Sequence, residues 1–218
     1  MEAVVFDMDG VIFDSEKLVI ECWIPVAEKY GIPNIVDACH ECLGINSNLT
    51  REKMHARYGD DFPYDTYKAE MSALFHERAK DGKLPKKAGI FELLDYLKEK
   101  KVKIAVASST RSEVVVRQLT EGGLISYFDK VICGDMVSKS KPDPEIFLKA
   151  CEELGVNPED AFGIEDSYNG IRSCNAAGMH PIMVPDLAPA TEEMEALADY
   201  IFDSLLDVKA FFEKENVF

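Results

Sequence analysis

The 218 residues predict an α/β protein, a doubly wound parallel sheet carrying an all-helical insertion near its N-terminus. Three observations carry this expectation. Short β-branched runs alternate with helical periodicities from about residue 85 onward. A similar apolar run at residues 3–6 stands alone at the start of the chain. Between the two, residues 15–84 show helix-like patterning and no convincing strand. Strands separated by helices make crossover connections, which favours a parallel sheet covered on both faces. The expected division is a core of residues 1–14 and 85–218 with a helical unit at 15–84.

The elements follow in chain order. Residues 3–6 read as a buried strand that ends in acids, and Gly31, Gly44 and Gly59 punctuate the helical stretch. Ile90, Leu93, Leu94 and Leu97 recur at i, i+3, i+4 and i+7, an amphipathic helix leading into a strand at 103–107. A helix at 113–119 and a strand at 130–133 come next. The helix predicted at 144–154 opens on Pro144 and is stopped by Gly155. A strand at 161–164, a helix at 168–177 stopped by Gly178, and a strand at 181–184 continue the alternation. Residues 200–202 and a last helix through Phe211 and Phe212 close the chain.

Composition narrows the function. Lys and Arg number 24 against 40 Asp and Glu, a formal net charge of −16. Nucleic-acid binders need basic patches that displace counterions, so nucleic acid is an excluded partner, as is an anionic membrane surface. An anionic substrate would need a local source of positive charge, for which a divalent cation is the obvious device. No apolar run approaches the roughly 18 residues that span a bilayer, and residues 1–6 lack the basic start of a signal segment. A cytoplasmic protein is expected, working as a monomer. The six cysteines are spread along a chain large enough to fold without staples and are expected to be reduced thiols. Cys39 and Cys42 form a C-x-x-C with no second pair, so helix packing is preferred to a metal or redox role. His40, His55, His76 and His180 show no ligand spacing.

Ligands of such sheets bind outside the carboxyl ends of the strands, so the residues just after each strand matter most. After the first come Asp7-Met8-Asp9-Gly10. Alternate residues of an extended segment point the same way, so Asp7 and Asp9 can reach one site. Their mutual repulsion asks for a cation or a shared proton, and a carboxylate is also a nucleophile toward phosphorus. A solvated acidic turn is the plainer reading of this tetrapeptide alone. Ser108, Ser109 and Thr110 after the second strand offer hydroxyls to a phosphate oxygen, although a helix N-cap is the commoner role of such residues. Lys141 precedes a proline-initiated helix, and Glu165 and Asp166 end another strand. Four acids, a lysine and hydroxyls at one sheet edge form a hard-cation site, and Mg²⁺ suits one or two carboxylates plus a substrate phosphate. With that phosphate bound, negative charge remains in excess, and Asp9 is the carboxyl expected to carry a proton as general acid.

These residues resemble the haloacid dehalogenase superfamily of phosphotransferases. Asp7-Met8-Asp9-Gly10-Val11 matches its first motif, Ser108 the second, Lys141-Pro142 the third, and Gly163-Ile164-Glu165-Asp166-Ser167 the fourth. Gly134-Asp135, Pro142 to Phe147 and Gly170 to Met179 look like the branch that holds β-phosphoglucomutase and many small-metabolite phosphatases. The resemblance implies a helical cap at 15–84, Asp7 as nucleophile, and Asp9 as acid and then base. It implies Ser108 and Lys141 on the phosphoryl group, with Asp7, Asp9 through its carbonyl, and Asp166 on Mg²⁺, and Glu165 in direct or indirect support. Where mutases of the branch carry a histidine on the first cap helix, this chain has Val19, and its segment 43–50 holds no arginine before Arg51. A phosphatase acting on a small phosphorylated metabolite, a sugar phosphate by expectation, is therefore favoured over a sugar-phosphate mutase. A metabolite-binding regulatory protein is the non-enzymatic alternative. Candidate substrate contacts are Glu16, Asn46, Ser47 and Asn48, the last three as loop residues, while Trp23 and Tyr30 are expected to pack.

Overall fold

The computed structural model describes residues 1–42 and 47–218, with Ser47 and Asn48 as backbone only. Six parallel strands form one sheet in the order β3-β2-β1-β4-β5-β6. They are β1 (Ala3–Phe6), β2 (Lys103–Ser108), β3 (Lys130–Cys133), β4 (Ala161–Glu165), β5 (His180–Met183) and β6 (Tyr200–Ile201). Register is continuous through the centre: Val5 lies beside Ala105 on one side and Gly163 on the other. The doubly wound α/β class is therefore correct.

Side chains of the strands divide by period two between the faces. On one face Val4, Phe6, Ile104, Val106, Phe162 and Ile164 join Leu93, Leu94 and Leu97 of α5 (Ile90–Glu99) and Val208 and Phe212 of α10 (Leu205–Lys214). On the other, Ala3, Val5, Ala105 and Ala107 meet Phe147, Ala150 and Cys151 of α7 (Glu145–Leu154). Small strand residues there let α7 come close to β1, β2 and β3. Two further helices cover the core, α6 (Ser112–Glu121) and α8 (Tyr168–Ala176). A short helix that the sequence pattern did not reveal, α9 (Glu192–Leu197), begins on a Thr191 cap whose hydroxyl accepts from the Met194 N–H. Its acids Glu192, Glu193 and Glu195 hide any apolar period.

Between β1 and α5 lie four helices: α1 (Ser15–Tyr30), α2 (Ile35–His40), α3 (Ser47–Tyr58) and α4 (Tyr64–Ala79). Gly31 closes α1 in the left-handed region, at φ 65°. Pro25 sits inside α1 and has no N–H to give the Glu21 carbonyl four residues back. Arg78 of α4 donates to that carbonyl instead, at 3.4 Å, which helps hold the α1–α4 pair. The helical stretch leaves and rejoins the sheet at one place. Asp14 N–H donates to the Pro85 carbonyl at 2.9 Å, Lys87 N–H to Ile12 at 3.0 Å, and Phe13 bridges Lys86 antiparallel. Ser47 and Asn48, expected in a loop, instead open α3. Asn46 and Gly44 lie outside the described residues.

Candidate active site

The site forms at the carboxyl edge of the central strands, beside the position where the chain reverses its direction of travel across the sheet. β1 delivers Asp7, whose N–H donates to the Ile164 carbonyl of β4 at 2.9 Å, so the two strand ends are locked together. Asp7, Asp166, Glu165 and Ser108 are all at least nine-tenths buried. Lys141 enters from the long β3–α7 connection and joins them. Its ammonium donates to Asp7 Oδ1 at 2.5 Å, Glu165 Oε1 at 2.5 Å and the Ala107 carbonyl at 2.9 Å, with the Phe147 ring 5.0 Å away. The Lys141 segment is itself pinned. Glu145 accepts from the Ser138 and Lys139 N–H groups, both at 2.8 Å, and the buried Ser173 hydroxyl donates to the Asp143 carbonyl at 2.7 Å.

Glu165 has both oxygens engaged. Oε1 holds Lys141, and Oε2 accepts from the Asp166 and Ser167 N–H groups and the Ser167 hydroxyl, at 3.0 to 3.2 Å. Its carboxylate lies directly under the start of α8, where a Cβ on Gly170 would come within 1.8 Å of Glu165 Cδ. Gly10 meets a similar constraint at φ 83°, because a Cβ there would stand 2.2 Å from Asp166 Oδ2.

Asp9 is oriented by two hydroxyls, one of them Thr110, which the sequence offered to a phosphate oxygen, and the other Ser15, which it did not single out. Ser15, the first residue of α1, donates to Oδ1 at 2.8 Å, and Thr110 donates to Oδ2 at 3.0 Å. Ser108 Oγ accepts from the Thr110 N–H at 3.1 Å. Ser109, expected on the phosphate, is exposed beside the cluster, with Gly134 packed against its backbone. Of the Ser108-Ser109-Thr110 run, Ser108 is buried in the cluster and Thr110 is the residue whose hydroxyl bonds Asp9.

Ligand atoms of Asp7, Glu165 and Asp166 lie within 4.8 Å of one another. Burial raises the Asp7 carboxyl, and Glu165 and Asp9 add to this against the pull of Lys141. Burial, Glu165 and Asp7 raise Asp166 likewise. Burial also works against the charge of Lys141, but Asp7 and Glu165 outweigh it and hold the ammonium above its usual range. Three buried carboxylates against one ammonium leave uncompensated negative charge around oxygen donors. That is the donor set of a hard cation, so the residues present fit a metal ion. A second convergence, Glu16, Asp166 and Asp186, adjoins the first. Asp186 pairs with Lys87 at 2.6 Å and keeps a buried Oδ2 without a partner. Burial, followed by Asp186 and Asp9, pushes Glu16 up to about 7.

From Asp9 a cavity of about 320 Å³ extends among the four inserted helices. Glu16, Val19, Ile20 and Trp23 of α1 form one wall, at i, i+3, i+4 and i+7. Tyr64, Lys68, Met71 and Phe75 of α4 form another, with Thr50 of α3 and Cys39 and Cys42 between. Trp23 packs as expected, buried against Tyr67, and borders the cavity with one edge of its surface, while the two thiols line a cavity wall. Glu16 is where the sequence placed it, beside the reacting groups. Tyr30 stays outside, hydrogen-bonded to Glu70 at 2.6 Å.

Comparison with known proteins settles the family. The sequence profile of the haloacid dehalogenase-like hydrolases matches residues 4–184. This chain belongs to that family. The enzyme is 34% identical over 186 residues to the phosphorylated carbohydrates phosphatase of Thermotoga maritima, covering 84% of each. It is equally 34% identical, over 193 residues, to the β-phosphoglucomutase of Bacillus subtilis, covering 84% of this chain and 83% of that one. Among solved structures, CbbY from Rhodobacter sphaeroides in complex with phosphate superposes with a TM-score of 0.73. Identity there is 27%, with 95% of this chain and 96% of that one covered.

Proposed function

We propose that this enzyme is a Mg²⁺-dependent phosphatase that hydrolyses a small phosphorylated carbohydrate through an aspartyl phosphate on Asp7. The observation that carries the reading is the buried cluster in which Lys141 bridges Asp7 and Glu165 while Asp9 borders the cavity among the inserted helices. The resemblance to a phosphatase of phosphorylated carbohydrates supports the substrate class. A core at 1–14 and 85–218 with a cap at 15–84 is part of the same proposal.

In the first step a carboxylate oxygen of Asp7 attacks phosphorus and the bond to the leaving oxygen breaks. Asp9, aimed by Ser15 and Thr110, gives that oxygen its proton. Asp9 then takes a proton from the water that attacks the phosphorus of the aspartyl phosphate, and phosphate leaves with Asp7 restored. Lys141 and the Ser108 hydroxyl hold the phosphoryl oxygens, where positioning and neutralisation supply most of the catalysis. Asp7, Asp166 and the Asp9 carbonyl would hold Mg²⁺, with Glu165 fixing Lys141 beside them. The ion would neutralise phosphate charge that the buried carboxylates otherwise repel.

Phosphatase is preferred to mutase on two features of this chain. The cavity wall presents Val19 where mutases of the branch carry a histidine. Arg51 is exposed, paired with Asp65 at 2.5 Å and seated over the Tyr64 ring. The test is phosphate release from 4-nitrophenyl phosphate with and without Mg²⁺. Wild-type enzyme is expected to require the ion and Asp7→Asn to be inactive. Turnover surviving in Asp7→Asn would remove Asp7 as nucleophile, and turnover unchanged by chelation would remove the metal.

A further inference from the structure

We propose that the active-site edge holds a second divalent cation, a hard ion of the Mg²⁺ or Mn²⁺ class, bound by Glu16, Asp186 and one oxygen of Asp166. The inference rests on the phosphatase reading for the neighbouring Mg²⁺ and adds an ion beside it. Among the described residues, two groups of three carboxylates bring ligand atoms within 4.8 Å of one another. One is Asp7, Glu165 and Asp166, the other Glu16, Asp166 and Asp186, so Asp166 belongs to both.

An acidic cluster alone is also relieved by a lysine or a shared proton. What points to an ion is Asp186. Its side chain is only 8% exposed, and Lys87 holds Oδ1 at 2.6 Å, while Oδ2 is buried and meets no hydrogen-bond donor. A buried carboxylate oxygen left in that condition is penalised until a donor or a positive charge reaches it. Asp166 has the same need, since neither Lys141 nor Lys87 pairs with it. The donors left over are all anionic oxygens, the set that a hard cation takes.

Charge balance asks for the same ion. With Asp9 set aside as the proton carrier, five carboxylates face two ammonium groups, Lys141 and Lys87. One divalent ion does not offset the excess, and a substrate phosphate adds to it; a second ion brings the edge close to neutrality. The ligands come from three places: Glu16 from the first turn of α1, Asp166 just past β4, and Asp186 after β5. An ion among them fastens the start of the inserted helices to the sheet. Sharing Asp166, the two ions would stand at the separation of about 3.5–4 Å usual for paired metals in phosphoryl transfer.

The test titrates the full chain, stripped of metal, with Mn²⁺, and counts bound ions per chain by calorimetry and by loss of the free-ion electron paramagnetic resonance signal. Wild type is expected to take two ions, and Asp186→Asn to weaken the second at least about 10-fold, with the first retained. Lys87→Met frees Asp186 Oδ1 and should tighten the second ion roughly 10-fold, which keeps the test decisive where Asp186→Asn folds poorly. At two ions per chain the resonance spectrum should be that of a spin-coupled pair, which ions scattered over an acidic surface do not give. One ion per wild-type chain, retained in Asp186→Asn, overturns the second site and leaves the Mg²⁺-dependent phosphatase standing. One ion that Asp186→Asn removes keeps the Asp186 site and overturns the metal set of the phosphatase reading. Two ions without spin coupling, or unmoved by both substitutions, overturn the inference. No bound ion at all overturns both readings.

Discussion

Lys141 shows how one side chain can bear both chemistry and stability. It is 7% exposed and touches two carboxylates of the same cluster. Replacing it by methionine keeps the volume but strands Asp7 and Glu165 without a counter-charge, a loss of about 3–5 kcal/mol in the metal-free protein. Urea unfolding should register this, and turnover should fall by at least about 10²-fold. Thr110 separates the two effects. Thr110→Val removes one of the two hydroxyls that aim Asp9 and changes no charge. We expect kcat to fall roughly 10-fold to 10²-fold with KM nearly constant, since a misaimed proton donor slows chemistry without weakening binding. The loss should be larger for an alkyl phosphate than for 4-nitrophenyl phosphate, whose leaving group needs little protonation. Neither Ser15 nor Thr110 was legible as a partner of Asp9 before the fold was known. They lie 6 and 101 residues from it in sequence. By contrast Asp7, Asp9, Lys141, Glu165 and Asp166 were readable because each follows a strand, and parallel strands bring their carboxyl ends together.

At the scale of elements, α8 is placed by what its first turn omits. Alanine is normally the better helix residue by up to about 1 kcal/mol, so Gly170→Ala ought to stabilise an ordinary helix. Here the added carbon would sit 1.8 Å from a buried carboxylate carbon. The clash wins, and overpacking costs of about 1–3 kcal/mol are expected. A lower midpoint in thermal melting, with weaker phosphate release as Glu165 shifts, is the expected result, and an unchanged or raised midpoint would contradict it. The strands and the amphipathic α5 were visible in the sequence because their periods are undisturbed. The pattern of α1 was visible too, yet its meaning was not. A stripe of Glu16, Val19, Ile20 and Trp23 reads equally as a packing face, and only the position of α4 opposite shows that it borders a cavity.

The whole molecule carries −16 formal charges, and the site concentrates the problem. Asp7, Asp166 and Glu16 are all raised above the ordinary carboxylate range, Glu16 to about 7. A carboxyl raised on folding binds more protons in the folded state, so its contribution is present in acid and lost as pH rises. The metal-free protein should therefore melt at lower temperature at about pH 8 than at about pH 6. Added Mg²⁺ should narrow or reverse that difference, because a cation that binds only the folded state favours the ionised carboxylates. A melting temperature that rises from about pH 6 to about pH 8 without metal would count against the cluster as described. The acidic composition gave no hint that six acids, including Asp186, gather at one edge.

The crossing at Asp14 and Pro85 has a consequence for how such an enzyme changes. The groups assigned to phosphoryl transfer come from the ends of β1, β2 and β4 and the Lys141 segment, while the cavity beyond them is walled by one uninterrupted stretch of chain. That stretch starts and stops a single hydrogen bond apart, at 2.9 Å. Two recombination points thus suffice to exchange the described cavity wall between relatives. Because its ends already meet, a replacement of different length adds little closure entropy. Reaction and repertoire can be inherited separately, and a graft at these two points should carry the donor's substrate preference into the recipient's chemistry.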